Sequence, residues 1–538
     1  MPTVRTRTQR LAALIAIGAA AILTVGCGST SKPAGASSSA PVNHTFTYDT
    51  YTQVMVGWDP STSYSNEILA MNNMYETLTR YNSATGKVEP LLATRWTSTP
   101  DGKTWTFTLR SGVKFHTGRT MTSADVKASV MRTIKLNQGA AYIWGAVKTI
   151  DTPSPTTVVF HLKYPAPLDL ISSAGYAAYI FDTKAAGGGS LTSWFNAGHD
   201  AGTGPYTVQQ WQKGQEIELR LKAFKGYWGG WSGTHYTSLV FRVVPTDSTA
   251  AQLLRSGQVS YVEQTTPQLW QSLKGASGIS TSTANSYQNL FGMLNTSYGP
   301  LKNLRVRQAL SYATDYNGIV TALQGAFEPA AGVIPKGLWG YSPNLPVYHT
   351  NMSKAKQLLA QAGYGPGQKP LSLTLTYTQG DSNEQTVATL LKSEYAPLNV
   401  NLKVEALQWP TQWAMAKSTN PAARQDIMLF YWWPDYADPY SWFINLFHSA
   451  NPPFFNLAYY DNKNVDSEID RVEPLSATNR PAAITLYQKI ETQLLHDSPA
   501  LLLGTVVYQR AFQSSVGGLV DNPAYPSVIF VYTLTPKP

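Results

Sequence analysis

The chain has 538 residues, a single cysteine and a formal net charge of +9 at neutral pH. This length is too great for one compact core, so two or three domains are expected. One cysteine excludes an intramolecular disulfide and any metal site built from several cysteines. The positive charge is spread without a dense block of lysine and arginine, which favours a solvated surface over a nucleic-acid partner.

The N-terminus has the pattern of a secretory signal. Arg5, Arg7 and Arg10 come before an apolar run from Leu11 to Val25, and no acidic residue lies among them. The run is shorter than the ~20 residues that span a bilayer, which favours a signal peptide over residues 1–26 and disfavours a permanent transmembrane helix. This segment has no Arg-Arg pair, so the general secretion route is favoured over the twin-arginine route.

Cys27 lies directly after this run. The segment Leu23 to Cys27 reads LTVGC and resembles the lipobox of bacterial lipoproteins, with Thr24 where leucine is more frequent. Lipidation of Cys27 is therefore predicted; the alternative is that Cys27 is an ordinary residue of the apolar run. The rest of 27–41 is rich in Ser, Ala, Gly and Pro and predicts a flexible tether. Since one acyl chain binds membranes only marginally, a stable anchor implies several chains on the cysteine.

Hydrophobic periodicity predicts interleaved helices and strands in the remaining chain. Asn66–Leu78 has the pattern of an amphipathic helix. Lys103–Arg110 alternates strictly and predicts a half-buried strand that turns into Val113–Phe115. Further strands are predicted at Thr157–Leu162, Ile217–Leu221, Leu239–Val244, Leu371–Tyr377 and Val400–Val404. Further helices are predicted at Ala124–Ile134, Thr249–Arg255, Val306–Ala313, Ser353–Ala362, Glu384–Tyr395 and Ala482–Leu495. This order predicts a mixed α/β chain in several lobes.

Motifs of catalysis and metal binding are absent from the sequence. It has no GxSxG, HExxH or GxxxxGK[ST] motif, and its 8 histidines form no i, i+4 pair. An enzyme and a metal site therefore have no support from the sequence, and an exported hydrolase is only a remote alternative.

Several segments, taken in order, resemble the family 5 extracellular solute-binding proteins, the peptide, nickel and oligosaccharide receptors of ABC importers. The most diagnostic stretch runs from Asp101 to Ser129. The other segments are Asp59-Pro60, Met74–Leu78, Glu89–Trp96, Gly202–Trp211, Pro245–Ser260, Leu304–Asp315, Ala355–Tyr364 and Asp435–Pro439. Ser260 departs from the acidic residue that the family usually has there.

The resemblance implies a type II periplasmic-binding-protein-like α/β fold, with two main lobes joined by a hinge plus an inserted third lobe. Lobe I would comprise 42–85, 202–300 and 507–538, lobe II the insertion 86–201, and lobe III 301–506. Crossings near 300 and 507 would form the hinge that closes the lobes around a ligand. It also implies a monomer without a cofactor, anchored at the outer face of the bacterial cytoplasmic membrane, that delivers its ligand to ABC permease subunits.

The predicted ligand site is the segment Leu429–Phe447, which combines aromatic residues with carboxylates. The simpler interpretation of this segment is packing in the core. Against it, a carboxylate in an enclosed site needs a cation or hydrogen-bond donors, which favours a ligand site. By resemblance to the peptide-binding members, Asp435 receives the ligand's α-ammonium. The other ligand-binding residues that the resemblance implies are Tyr431, Trp432, Trp433, Tyr436, Trp409 and Asn289, with the backbone of 431–433 pairing an extended ligand. Asp438-Pro439 is predicted to be structural.

The ligand itself stays open between peptides and oligosaccharides. Peptide receptors commonly place an arginine upstream of this strand, where a ligand carboxylate can bind, but Leu429 and Phe430 occupy those positions here. Lys417 and Arg424 are nearby in sequence, although charged surface loops are the simpler interpretation of both. Stacking of tryptophans on sugar rings is the alternative, and the absence of histidine from the segment disfavours nickel or haem.

Overall fold

The structure is a computed structural model that describes residues 42–51, 54–55, 57–211, 218–449 and 455–538. The predicted signal peptide, Cys27 and the tether therefore lie outside the described residues. Residues Val42–Pro538 form one compact unit. In this part of the chain, no helix is both long enough and apolar enough to span a membrane.

Strands occur along the whole compact unit. In chain order they are β1 Thr45–Thr50, β2 Thr79–Asn82, β3 Lys87–Pro90, β4 Ala93–Ser98, β5 Thr104–Leu109, β6 Val147–Ser154, β7 Thr157–Leu162, β8 Tyr206–Gln210, β9 Glu218–Ala223, β10 Ser238–Val243, β11 Tyr261–Val262, β12 Ile279–Leu294, β13 Phe327–Glu328, β14 Leu371–Thr378, β15 Val400–Leu407, β16 Ile427–Trp432, β17 Ala500–Gln513, β18 Val516–Gly517 and β19 Thr535–Pro536.

Helices lie between these strands without a short repeat. In chain order they are α1 Ile68–Met74, α2 Ser123–Leu136, α3 Leu168–Ile171, α4 Leu191–Asn196, α5 Asp247–Arg255, α6 Pro267–Leu273, α7 Leu304–Ala313, α8 Tyr316–Ala322, α9 Met352–Gln361, α10 Ser382–Tyr395, α11 Trp409–Ala416, α12 Tyr440–Leu446, α13 Lys463–Thr478 and α14 Arg480–Asp497.

One large mixed sheet forms the frame of the molecule. Its strand order is β15-β14-β16-β12-β17-β11-β1-β10-β9-β8, and β13 also pairs with β17. The long strands β12 and β17 pair antiparallel from Ile279–Gln513 to Met293–Ala500, with a register shift between Asn285 and Asn289. These two strands therefore connect the half of the sheet that contains β16 to the half that contains β1.

Residues 86–201 contribute a second, four-stranded antiparallel sheet with the order β4-β5-β7-β6. Its apolar positions alternate as predicted from the sequence: Phe107 and Leu109 of β5 are buried. The lobe and hinge boundaries predicted from the resemblance stay a prediction, because strand pairing alone does not define which parts move together.

Most predicted elements are confirmed within a few residues of their ends. The strand predicted at Ile217–Leu221 corresponds to β9, although Ile217 lies outside the described residues. The helix predicted over Asn66–Leu78 was too long, since α1 ends at Met74 and Glu76 forms an isolated bridge with Ile180. The predicted strand Val113–Phe115 is reduced to one bridge, between Lys114 and Thr120.

The early Asp59-Pro60 motif has a structural role. Asp59 accepts a bidentate ion pair from Arg132 of α2, with Nη1 to Oδ1 at 2.6 Å and Nη2 to Oδ2 at 2.5 Å. The hydroxyl of Thr192 also donates to Oδ2, at 2.8 Å. This pair joins the segment after β1 to two helices of the 86–201 region, and planar bidentate geometry is what makes such a pair specific.

A buried arginine joins α7 to the end of α14. Arg307 is 7% exposed, and its guanidinium donates to the backbone carbonyls of Leu301, Lys302, Asp497 and Ser498 at 2.7–3.2 Å. Carbonyls at a helix C-terminus have no partner inside the helix, so the cation satisfies them and also complements the helix dipole.

We expect Arg307→Met to destabilise the protein, because the volume is roughly kept while four buried carbonyls lose a charged donor. The free energy of unfolding should fall by roughly 3 kcal/mol, since an unsatisfied buried group costs about 1–3 kcal/mol. Urea unfolding followed by tryptophan fluorescence measures the change. Arg305→Met, on the exposed face of the same helix, is the matched control and should stay within about 0.5 kcal/mol of the wild type. Equal stability of the two variants would contradict this role of Arg307.

Candidate ligand-binding site

A cavity of about 1350 Å³, including the solvent at its mouth, lies beside β16. Its walls come from residues 64–69, residues 263–265, the N-terminus of α10, helix α11, strand β16 with the loop after it, and β17. Ligand pockets are typically about 300–1,000 Å³, mostly apolar and lined by few charged groups. The charged side chains on the wall are Glu263, Glu384, Asp435 and Arg510.

The structure brings five predicted site residues to this cavity. Tyr431, Trp432, Trp433, Asp435 and Trp409 all line it. The two other predicted residues lie behind the wall. Asn289 pairs with Trp432 across the neighbouring strands and is 1% exposed, while Tyr436 is 2% exposed.

Asp435 lies in the loop between β16 and α12 and is 6% exposed. Its Oδ2 accepts hydrogen bonds from the Tyr142 hydroxyl at 2.6 Å, Ser441 Oγ at 3.2 Å and Asn445 Nδ2 at 3.3 Å. Burial raises the pKa of Asp435 to about 6, although these three hydrogen bonds oppose the rise. Within the described residues no donor reaches Oδ1 and no cation pairs with the carboxylate, so one oxygen stays available to a ligand.

The loop of Asp435 is held in place from the 86–201 region. The Gly175 backbone N–H donates to the Asp435 carbonyl at 2.8 Å, and the Asp435 N–H donates to Ser441 Oγ at 3.1 Å. Together with Tyr142, these contacts fix the carboxylate from both sides. Asp438 has the structural role predicted for it, because Oδ1 accepts the N–H of Tyr440 at the start of α12.

Strand β16 has one open edge at the cavity. Along its whole length it pairs antiparallel with β12, from Ile427 to Trp432. On the other side β14 pairs only with Ile427 and Met428. The edge of residues 429–432 therefore has no strand partner within the described part of the chain, although Gln412 Nε2 donates to the Leu429 carbonyl at 3.3 Å. Such an edge can pair with another extended chain.

Aromatic rings pack against each other around the β16 wall. Trp409 stacks on Phe430 with ring centroids 6.2 Å apart and planes at 11°, and Trp432 meets Phe455 edge-on at 5.0 Å. The indole N–H of Trp409 donates to Ser65 Oγ at 3.2 Å, whereas that of Trp432 is buried without a partner. These contacts make the wall rigid and apolar and leave an indole donor available.

Sequence reasoning missed several residues of this wall. Trp413 could have been found, because it follows Trp409 by four residues and shares its helix face. Tyr64 and Phe455 of the wall, and Tyr142 that donates to Asp435, come from distant segments whose proximity no local pattern indicates.

Arg510 supplies a guanidinium where the sequence indicated none. It lies on β17, 2% exposed, with Nε donating to Asp521 Oδ1 at 2.8 Å and Nη1 to the Glu263 carbonyl at 3.4 Å. Lys417 and Arg424 are not on the cavity wall: each lies over an aromatic ring, 5.2 Å from Trp413 and 4.0 Å from Tyr459 respectively. As predicted, Leu429 and Phe430 are buried apolar residues.

Across the described residues, no group of three or more histidine, cysteine, aspartate or glutamate side chains is placed to hold a metal ion. The wall residues identified above likewise contain no histidine. The cavity therefore offers carboxylates, hydroxyls, indoles and an open strand edge, which bind by hydrogen bonding and charge.

Comparisons with known proteins identify relatives and solved structures of one class, the bacterial solute-binding proteins. The sequence model "Bacterial extracellular solute-binding proteins, family 5 Middle" matches residues 87–454. A probable D,D-dipeptide-binding periplasmic protein of Escherichia coli is 28% identical, with 86% of this chain and 88% of that protein covered. Heme-binding protein A of Haemophilus influenzae is 25% identical, with 96% and 97% covered.

Among solved structures, the oligopeptide-binding protein of Bacillus subtilis in complex with a nonapeptide superposes with a TM-score of 0.82 at 20% identity, covering 92% of this chain and 99% of that one. This likeness confirms the predicted periplasmic-binding-protein fold. Since the family comprises solute-binding proteins and not enzymes, the prediction that the chain is not an enzyme is also confirmed. The chain belongs to the bacterial extracellular solute-binding proteins of family 5.

Proposed function

We propose that this chain is an exported, lipid-anchored receptor that captures peptides and delivers them to the permease of an ABC importer. The observation that carries the peptide assignment is the open edge of β16, which leads directly to a buried carboxylate without a cation. A peptide has both complementary features, an extended backbone with alternating donors and acceptors and a terminal ammonium.

In this proposal the peptide backbone pairs with residues 430–432, which line the cavity, and its ammonium binds Oδ1 of Asp435. Strand addition gives affinity through main-chain hydrogen bonds that do not depend on the side chains of the ligand. The buried carboxylate then fixes the direction of the peptide, because only its N-terminus carries the required charge. The aromatic wall of Trp409, Trp432 and Trp433 would contact the first side chains.

Relatives support this class of ligand without specifying it. One is named for D,D-dipeptides and one solved neighbour holds a nonapeptide, whereas another relative is named for heme. A heme ligand has no support from the wall residues identified here, which lack histidine. An oligosaccharide fits less well than a peptide, since the ring faces of Trp409 and Phe430 are stacked on each other.

The cellular part of the proposal rests on the sequence. Residues 1–26 would direct export, and lipidated Cys27 would hold the protein at the outer face of the cytoplasmic membrane. The tether to residue 41 would let the folded unit move relative to the lipid anchor. The lobes at 42–85 with 202–300 and 507–538, 86–201 and 301–506 would close around the peptide. A monomer then suffices, because all groups of the site come from one chain.

We expect Asp435→Asn to weaken the binding of tri-alanine at least about a hundredfold, since losing one partner of a buried charge pair costs about 2–5 kcal/mol. Isothermal titration calorimetry at pH 7.5 measures the dissociation constant. Asp438→Asn is the matched control: it is also buried, with a pKa raised by burial to about 6, but is not on the cavity wall. Unchanged affinity of Asp435→Asn for tri-alanine would contradict the binding of an ammonium by Asp435. If cello-oligosaccharides but no peptides raise the melting temperature of the wild-type protein, the ligand is a sugar and not a peptide.

We expect peptide affinity to fall with pH below about 6. In the free protein the pKa of Asp435 is raised to about 6, and a bound ammonium would lower it, so binding below this pH requires loss of a proton. The affinity should therefore be about tenfold weaker at pH 5 than at pH 7. Titrations at pH 5, 6 and 7 measure this, and a wild-type profile as flat as that of Asp435→Asn would contradict it.

We expect Cys27→Ala to move the protein from the membrane fraction to the soluble fraction, because the residue that carries the lipid is lost. Membrane fractionation with immunodetection measures the distribution. The dissociation constant for tri-alanine should stay within about twofold of the wild type, since Cys27 lies outside Val42–Pro538. Retention of the variant in membranes at the wild-type level would disprove the lipid anchor.

A further inference from the structure

A second group of carboxylates lies at the part of the cavity formed by residues 263–265 and the N-terminus of α10. We call it the acidic cluster, and it consists of Asp49, Asp247, Glu263, Asp381 and Glu384. Glu263 and Glu384 line the cavity. The two segments face each other, because Gln264 Nε2 donates to Asp381 Oδ1 at 3.2 Å.

Two arginines oppose the rise in pKa of these carboxylates from nearby, Arg510 for Glu263 and Arg242 for Asp49, but neither forms an ion pair with them. The nearby arginines are engaged elsewhere: Arg242 pairs with Glu218 at 3.0 Å, and Arg510 pairs with Asp521 at 2.8 Å. Within the described residues no member of the acidic cluster forms an ion pair. The acidic cluster is therefore a concentration of negative charge in a buried place, which is unfavourable unless a cation or protons compensate it.

Helix capping explains only part of this arrangement. Asp381 Oδ1 accepts the N–H of Glu384 at 2.8 Å, and Glu384 Oε2 accepts the N–H of Thr378 at 2.6 Å, so both residues stabilise the start of α10. Capping does not account for Asp381 Oδ2 or Glu263 Oε2, which are buried without a partner.

Neutral side chains at the same place also present unused acceptors. Asn383 and Thr265 line the cavity, are 8% and 5% exposed, and have the buried atoms Oδ1 and Oγ1 without a hydrogen-bond partner. Native proteins rarely leave such atoms unsatisfied, so each indicates a missing partner. Against these acceptors stand two unpartnered N–H donors among the described wall residues, Nη2 of Arg510 and Nε1 of Trp432. The missing partner is thus mainly a donor of hydrogen bonds.

We propose that the acidic cluster binds a second cationic group of the ligand, the ammonium or guanidinium of a basic side chain. The preferred peptides would then carry a lysine or arginine in addition to the N-terminal ammonium bound by Asp435. This inference rests on the proposed function and narrows its substrate class.

The two cation sites are electrostatically distinct. The pKa of Asp435 depends on burial and three hydrogen bonds, whereas burial and Asp381 raise the pKa of Glu263 to about 7. Burial, Glu263 and Asp247 raise the pKa of Asp49 to about 8. The titratable and charged groups that act on Glu263 and Asp49 from the surrounding elements are Asp247, Asp381, Arg242 and Arg510. Near pH 7.5 this cluster therefore retains protons that a bound cation would release.

Matched tripeptides test the inference. In tri-alanine each position is replaced in turn by lysine or by norleucine, which keeps the aliphatic chain and lacks only the ammonium. We expect lysine at one position to bind at least tenfold tighter than norleucine, in calorimetry at pH 7.5. Glu263→Gln should bring the ratio of the dissociation constants of the lysine and norleucine peptides to about one. Thr265→Val, which removes an acceptor without changing charge, should reduce the difference.

Three controls separate the outcomes. Glu89→Gln, which changes an exposed carboxylate, should leave the lysine preference unchanged. The lysine peptide should release more protons than the norleucine peptide when heats are compared in phosphate and Tris buffers. n-Butylamine added to the norleucine peptide should not reproduce the lysine effect at equal concentration, since a free cation lacks the connection to the peptide.

Equal affinities of the lysine and norleucine peptides at every position would overturn the second cation site and leave the peptide assignment standing. A lysine preference that survives Glu263→Gln would also overturn it. Failure of all peptides to bind would instead refute the proposed function. Thermal unfolding of each variant shows whether a loss of binding comes from loss of the fold.

Discussion

A carboxylate removed from water is unfavourable unless it has a partner of opposite charge or several donors, and Asp435 shows how the site depends on this constraint. Three donors reach one of its oxygens, and they come from the 86–201 region and from α12. They keep the carboxyl group in place without neutralising it. The raised pKa of about 6 is a measure of the stabilisation that is still missing. In the proposed function a ligand ammonium would supply it, so the same burial that disfavours the unpaired carboxylate would strengthen binding.

The large sheet determines where this constraint acts. Strand β16 is fixed by β12 along its full length and loses β14 after Met428, so its open edge begins where the cavity begins. The aromatic rings on the same wall pack against each other beside this edge. An extended ligand can therefore exchange backbone hydrogen bonds with water for bonds with a preformed strand, at little cost in ordering the protein.

Much of the fold was predictable because it depends on local patterns. The alternation of β5 and the amphipathic helices α5, α7 and α9 bury the residues that their periodicity predicts. The helix α1 was predicted but made too long. All of its residues are buried, and the chain after it forms an isolated bridge between Glu76 and the distant Ile180. Periodicity carries no information about an element that is covered on every side.

The cavity wall was predicted mainly where its residues are close in sequence, and the resemblance added Trp409. Tyr431, Trp432, Trp433 and Asp435 lie on one short segment, so resemblance and composition identify them together. Glu263 and Arg510 approach the cavity through parallel and antiparallel pairings of β1, β11 and β17. Glu263 and Arg510 are near each other only because these strands pair, and the spacing of residues in the sequence does not show which strands pair. The balance of charged side chains on the cavity wall therefore becomes visible only when those strands are placed side by side.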